Sequence, residues 1–207
     1  MRNASDEGEG VLMIDARQGN DGMISYANVR PQLLGGLDGT VLEIGPGSGV
    51  NLQYYRAGIR WIGVEPNVSL HERIVHQAAQ RGLPARILTG VAERITLPDA
   101  SVDAVVGTLV LCSVDDQARA LAEVRRVLKP SGRYVFDEHV AAPTGTWTRR
   151  IQEVWTPLAR RIEGCNANRD TGRAIERAGF GAVAYERFAL PAPFGFTAPH
   201  IAGTALK

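Results

Sequence analysis

Glu43, Gly45, Gly47 and Gly49 make the pattern E-x-G-x-G-x-G within Val41-Leu42-Glu43-Ile44-Gly45-Pro46-Gly47-Ser48-Gly49. Glycines at alternate positions remove the Cβ atoms that would keep a ligand off the main chain, and they permit the positive φ angles of a tight turn. The turn is therefore built to hold a ligand closely. Its spacing departs from the dinucleotide pattern G-x-G-x-x-G, and a carboxylate as early as Glu43 suits a ligand with a positive charge or an ammonium group better than a pyrophosphate. Glu65 ends the next apolar segment and can accept hydrogen bonds from both hydroxyls of a ribose. Glu138 and His139 end a later one. His139 has the intrinsic pKa to accept a thiol or ammonium proton; the alternative is that the pair ties down the loop that follows. Cys112 and Cys165 are the only cysteines, too few for a disulfide framework or a Cys-rich metal site, so inert buried thiols and no metal are expected. His71 and His76 fall on a helix surface, and His200 precedes an edge strand in a structural role.

These groups need strands that end together. Val41 to Ile44 reads as a buried strand, with a helix able to start at Val50. Arg60 to Glu65 is the second strand, and Val68 to Gln80 a second helix with Ser69 as its cap and Gly82 as its stop. A short strand follows over Ala85 to Thr89. The apolar run Ser101 to Leu111 suits a central parallel strand covered on both faces. Asp115 or Asp116 caps a helix presenting Ala118, Leu121, Val124 and Leu128, stopped by Pro130 and Gly132. Strand five covers Gly132 to Val140. This β-α alternation predicts a doubly wound parallel sheet.

Flanking segments are less regular. A helix is expected over Ile24 to Leu34 despite Pro31. Trp147, Ile151, Val154, Trp155, Leu158 and Ile162 form a helical stripe, in which Trp147 and Trp155 either wall an apolar substrate cavity or pack in the core; Arg149, Arg150, Arg160 and Arg161 form a solvated face, the alternative being a grip on anionic lipid or an acidic substrate. Pro157 should kink or divide that helix. A short helix over Asp170 to Ala178 precedes two strands, Gly181 to Leu190 and His200 to Leu206, joined through Pro191 to Gly195.

With 207 residues, 44% hydrophobic and 22% charged, the chain has the make-up of one soluble domain. Its net charge of +1 provides no general attraction to nucleic acid or anionic membranes. No run approaches the about 18 apolar residues of a membrane span, and no signal peptide is apparent. A cytoplasmic protein is expected, with peripheral membrane contact at most. The domain divides into a flexible or lid-like segment over 1–23, a cofactor-binding core over 41–140 and a helical insert over 141–180 that shapes the substrate pocket.

From Val41 to Val140 the linked motifs resemble the class I S-adenosylmethionine-dependent methyltransferases. The resemblance implies a three-layer α/β fold, doubly wound, with a mostly parallel seven-stranded sheet and an antiparallel C-terminal strand. It also implies S-adenosyl-L-methionine as cofactor, leaving as S-adenosyl-L-homocysteine, and a small-molecule methyl acceptor. On that likeness Gly45, Pro46, Gly47, Gly49 and Asn51 belong to the turn holding the methionine part, with Glu43 beneath it. Glu65 binds the ribose and Pro66 packs near the adenine. Where many relatives carry an aspartate for the adenine amino group this chain has Val91, which leaves Ala92 and Glu93 to act through backbone or a longer side chain. Thr108 and Leu109 contact the methionine moiety.

A narrower likeness runs through Thr108-Leu109-Val110-Leu111-Cys112-Ser113-Val114, Glu138-His139-Val140-Ala141-Ala142, Gly164-Cys165-Asn166 and Pro199-His200-Ile201. These stretches are similar to the mammalian methyltransferase-like proteins that act as alkyl thiol methyltransferases. Those relatives carry an apolar N-terminal anchor that is not seen here. Three classes follow: methylation of a small apolar thiol; the same chemistry on an amine, hydroxyl or ring carbon of a lipid, quinone or secondary metabolite; or a non-catalytic cofactor binder, with a nicotinamide-dependent oxidoreductase if the glycine turn is misread.

Overall fold

Five parallel strands, filled by the apolar runs, supply the frame. The computed structural model describes residues 26–191 and 197–207. β1 (Thr40–Ile44), β2 (Arg60–Val64), β3 (Ala85–Leu88), β4 (Val102–Thr108) and β5 (Leu128–His139) are joined by β6 (Ala182–Pro191) and β7 (Thr197–Leu206) in one seven-stranded sheet of order β3-β2-β1-β4-β5-β7-β6. β7 runs antiparallel to both its neighbours. β1 is buried along its whole length, as a central strand covered on both faces must be.

Alternation along β1 divides the core into two layers. Leu42 and Ile44 pack with Val105, Leu121, Val124, Phe136 and Ile175, on the side of α3 (Gln117–Val127) and α5 (Thr171–Arg177). Val41 packs with Val29, Leu33, Trp61, Ile74 and Val106, beneath α1 (Tyr26–Leu34) and α2 (His71–Gln80). The result is the expected three-layer α/β fold.

Several local expectations change. After the glycine turn the chain makes only a 3-10 turn over Val50–Tyr54. Val68 to Gln80 splits into a 3-10 turn, Val68–Leu70, and α2; Asn67 is the cap, its side-chain oxygen accepting from the Ser69 N–H. Ser69 does not cap the helix because its hydroxyl also donates to Asn67 Oδ1, at 2.7 Å. Asp116 is the cap of α3, accepting from Arg119 N–H. Leu128 turns extended there and opens β5 four residues ahead of the expected start, pairing with Val102.

α4 (Trp147–Glu163) passes through Pro157 as one helix, between a Thr146 cap and Gly164 in the left-handed region. A single missing N–H leaves enough of the helical ladder to continue. Its apolar stripe is not core: Trp147 is 71%, Val154 82% and Trp155 61% exposed. His200 also stands elsewhere than expected, because β7 fills the slot between β5 and β6 and leaves β6 at the edge. That makes His200 a buried residue of an internal strand. The 1–23 segment and most of the β6–β7 connection lie outside the described residues.

Candidate functional site

The glycine turn sits at the carboxyl end of β1, beside the ends of β2 and β4, where ligands of open α/β sheets bind. Gly45, Gly47 and Gly49 have φ of 58°, 56° and 78°. A Cβ on Gly45 would come within 2.8 Å of Val110 Cγ2, whereas one on Gly47 would meet nothing nearer than 4.0 Å. Gly45 is therefore required by both conformation and space, and Gly47 by conformation with space left open above it.

Beneath the turn Glu43 is buried and satisfied from within the protein. Asn51 Nδ2 and Tyr55 Oη donate to it at 2.8 Å and Trp61 Nε1 at 3.0 Å. Burial raises its carboxyl above the ordinary range, against the pull of those three donors. The expectation that Glu43 faces a cationic ligand is thus corrected: its oxygens hold the floor of the turn. Asn51 Nδ2 also donates to Thr108 Oγ1 at 2.9 Å, linking β1, the turn and the end of β4. Asn51 Oδ1 is buried and has no hydrogen-bond partner among the described residues, a spare acceptor that suits a ligand with an N–H or ammonium group.

Glu65 lies just beyond β2 and is buried. Its Oε2 accepts from Gly47 N–H at 3.0 Å and its Oε1 from Asn67 N–H at 2.9 Å. The carboxylate thus spans the glycine turn and the start of the next helix, with lone pairs remaining for a diol. His71, expected as a surface residue, donates from Nε2 to Glu65 O at 2.9 Å and steadies this corner.

Gly45, Glu65, Pro66, Val91, Ala92, Glu93 and Leu109 line one cleft of about 280 Å³, together with Val64, Val110, Ser113, Val114 and Asp115. Pro46, Gly47, Gly49, Asn51, Glu43 and Thr108 are not part of that lining; they build the turn and its floor. Glu93 Oε1 accepts from the Asp115 and Asp116 N–H groups at 2.8 and 3.3 Å, so its carboxylate joins the cleft to the start of α3. Val110, Ser113 and Val114 were missed, since nothing in their types marks them as cleft walls.

Glu138 and His139 point to different work. The Glu138 carboxylate is buried and accepts from Val110 and Leu111 N–H at 2.9 Å and from Cys112 N–H at 3.3 Å. Burial pushes its carboxyl well above the usual range. Committed to three amides and shut off from solvent, it fixes the turn after β4, and the catalytic role expected for it gives way to a positioning one. Leu109, the first residue of that turn, has φ of 58°.

His139 Nδ1 lies 3.6 Å from Cys165 Sγ. With Cys112, these ligand-type atoms all fall within 4.8 Å of one another. Neither cysteine is in a disulfide. The adjacent Cys165 thiol, then burial, push the Cys112 thiol up. This grouping of residues 112, 139 and 165 had no sequence signature, because the spacings belong to no short metal motif.

Behind His139 lies a second buried polar set. His200 Nδ1 donates to Ala198 O at 2.8 Å, so its Nε2 accepts from Tyr26 Oη, also at 2.8 Å. Burial, with His139 nearby, lowers His200 to about 4 and keeps the ring neutral. The His139 and His200 rings meet edge to face at 4.3 Å. Burial raises Asp137 to about 6, with Arg30 Nε 3.9 Å away.

Residues 42–136 match the methyltransferase domain family. Thiol S-methyltransferase TMT1A of Homo sapiens is 38% identical over 172 residues, covering 81% of this chain and 70% of that protein. In structure the chain is similar to the YcgJ protein of Bacillus subtilis, with TM-score 0.68 at 20% identity over 82% of this chain and 92% of that one. It is similar too to a possible histamine N-methyltransferase of Thermotoga maritima, with TM-score 0.60 at 22% identity over 83% of each. The structural likenesses establish the fold, and the sequence likeness the family.

Proposed function

This chain belongs to the class I S-adenosylmethionine-dependent methyltransferases, and we propose that within that class it methylates the sulfur of a small apolar thiol. The observation that carries this reading is the reach of the 38% identity to a thiol S-methyltransferase: 172 aligned residues extend well past the 42–136 core common to the class. Likeness beyond that core favours a shared acceptor, because methyltransferases of different substrates diverge outside the part that holds the cofactor.

For the cofactor, the reading assigns Gly45, Gly47 and Gly49 to the methionine part and Glu65 to the ribose hydroxyls, with Pro66 and the Val91–Glu93 segment around the adenine. The open space above Gly47, the spare Asn51 Oδ1 and the cleft past Glu65 support this fit. The cofactor supplies an activated methyl on a sulfonium. The chain's own residues align the acceptor with it and exclude water. An alkyl thiol of pKa about 8.5 is only a few per cent ionised at neutral pH, so modest stabilisation of its thiolate suffices.

The direct test follows label from methyl-labelled S-adenosylmethionine into a panel of alkyl thiols, amines, phenols and quinols. Methylthio product from the thiols, with the other acceptors inert, is the expected result. Label confined to nitrogen, oxygen or carbon acceptors would reject the thiol and leave the reaction class standing.

A further inference from the structure

Cys112, His139 and Cys165 come from three separate places: the turn after β4, the end of β5 and the segment following α4. The fold fastens those places together. Asn166 N–H donates to Cys112 O at 2.8 Å, and Ala141 N–H to Arg169 O at 2.8 Å. Glu138, next to His139 in the chain, holds the Cys112 amide. Two sulfurs and an imidazole nitrogen therefore converge on a braced frame rather than on loose loops.

Their geometry is that of a soft cation's ligands. Bond lengths of about 2.3 Å to sulfur and 2.0 Å to nitrogen give a tetrahedral S···N edge of about 3.5 Å and an S···S edge of about 3.8 Å. Cys165 Sγ and His139 Nδ1 are already 3.6 Å apart. The remaining pairs are within 4.8 Å, so closing them by at most about 1.3 Å completes the set. Two thiols and one imidazole suit zinc-class ions over magnesium or calcium, which prefer oxygen.

We propose that Cys112, His139 and Cys165 bind one zinc-class divalent cation and leave its fourth position for the sulfur of the acceptor. Three protein ligands with one open position is the arrangement of reactive rather than structural zinc. The site adjoins the cleft: Cys112 is buried just behind the wall that Leu109, Val110, Ser113 and Val114 form, so the acceptor sulfur has to reach past that turn to the metal. The open-position half of the proposal rests on the thiol reading above. Chemically, both cysteine thiols release their protons to water when the metal binds. The acceptor R–SH then gives up its proton to water as its sulfur joins the metal. The sulfur lone pair forms the new S–CH3 bond while the sulfonium S–CH3 bond breaks, yielding thioether and neutral S-adenosylhomocysteine. His139 is then a ligand, and this replaces the role of base expected for it from the sequence.

The test uses full-length protein reduced with a phosphine, loaded with zinc or cobalt(II) and freed of excess metal. About one metal per chain and a sulfur-to-cobalt charge-transfer band are expected, and the band should grow on adding an alkyl thiol. Cys165→Ser, at a half-buried position, should lower the metal content at least tenfold while cofactor binding reports an intact fold. His76→Ala, on the exposed face of α2, should leave it unchanged. Less than one-tenth metal per chain with both thiols titrating as reduced would overturn the site. A cobalt spectrum indifferent to thiol would overturn the open position alone. Thiol methylation by metal-free protein at the full rate would retain the function and remove the metal from it, whereas stoichiometric metal without thiol turnover would retain the site and reject the thiol reading.

Discussion

Glu65 and Glu138 show how two carboxylates at strand ends come to do different work. Glu65 lies beside an open cleft and bridges two backbone amides with lone pairs to spare, whereas Glu138 faces inward and spends its oxygens on three. Glu65→Ala should weaken S-adenosylhomocysteine binding by about 1.5 to 3 kcal/mol, or roughly 10- to 150-fold, by isothermal titration. An unchanged affinity would move the ribose away from this residue. Glu138→Ala should instead destabilise the fold by about 2 to 5 kcal/mol in urea, because three amides lose their acceptor in a place water does not reach. A protein of wild-type stability that had lost only turnover would return Glu138 to the chemistry. The sequence marks both acids by position, but the direction each faces depends on neighbours far along the chain.

α1, β5 and β7 enclose two buried titratable groups of opposite sense. His200 titrates at about 4 in the folded chain, below its unfolded value. Its neutral form contributes stability above about pH 6.5 that is lost as the pH falls toward 4. Asp137 titrates at about 6, above its unfolded value. Its neutral form contributes stability below about pH 4 that is lost as the pH rises through 6. Each effect amounts to about 3 kcal/mol, and between pH 4 and 6 they oppose each other. Within the total, which also carries the raised Glu43 and Glu138 carboxyls, the His200 and Asp137 contributions therefore nearly cancel across that interval. Asp137→Asn should remove one side of that balance, so that its urea stability falls by about 3 kcal/mol relative to the wild type between pH 6 and pH 4. Parallel curves for the two proteins would rule out the pairing. Only the Tyr26 contact and the strand order reveal this set, since His200 reads in sequence as a residue ahead of an edge.

At the scale of the molecule, β7 is the strand that completes the sheet. Ile201, Ala202, Thr204 and Ala205 are buried between the two helical layers, and β5 and β6 both pair with it. Ending the chain before Thr197 should abolish cooperative unfolding altogether, seen as loss of a sigmoidal denaturation curve, because it opens two strand edges at once. A cooperative fold without β7 would contradict its internal placement. Trimming a true edge strand would cost far less.

What the sequence determined by itself is local and periodic. The apolar runs and helical spacings identify the β-α alternation, and the glycine turn with Glu65 at the next strand end marks a ligand cleft, because each signal lies within a few residues of its cause. Only the tertiary structure decided that β7 lies inside β6, that the Trp147 and Trp155 stripe faces outward, that Glu43 is a saturated floor, and that Cys112, His139 and Cys165 meet. Those outcomes depend on which distant segments become neighbours. The alternation of side chains along a strand says which residues share a face, but the pairing of strands says what that face meets.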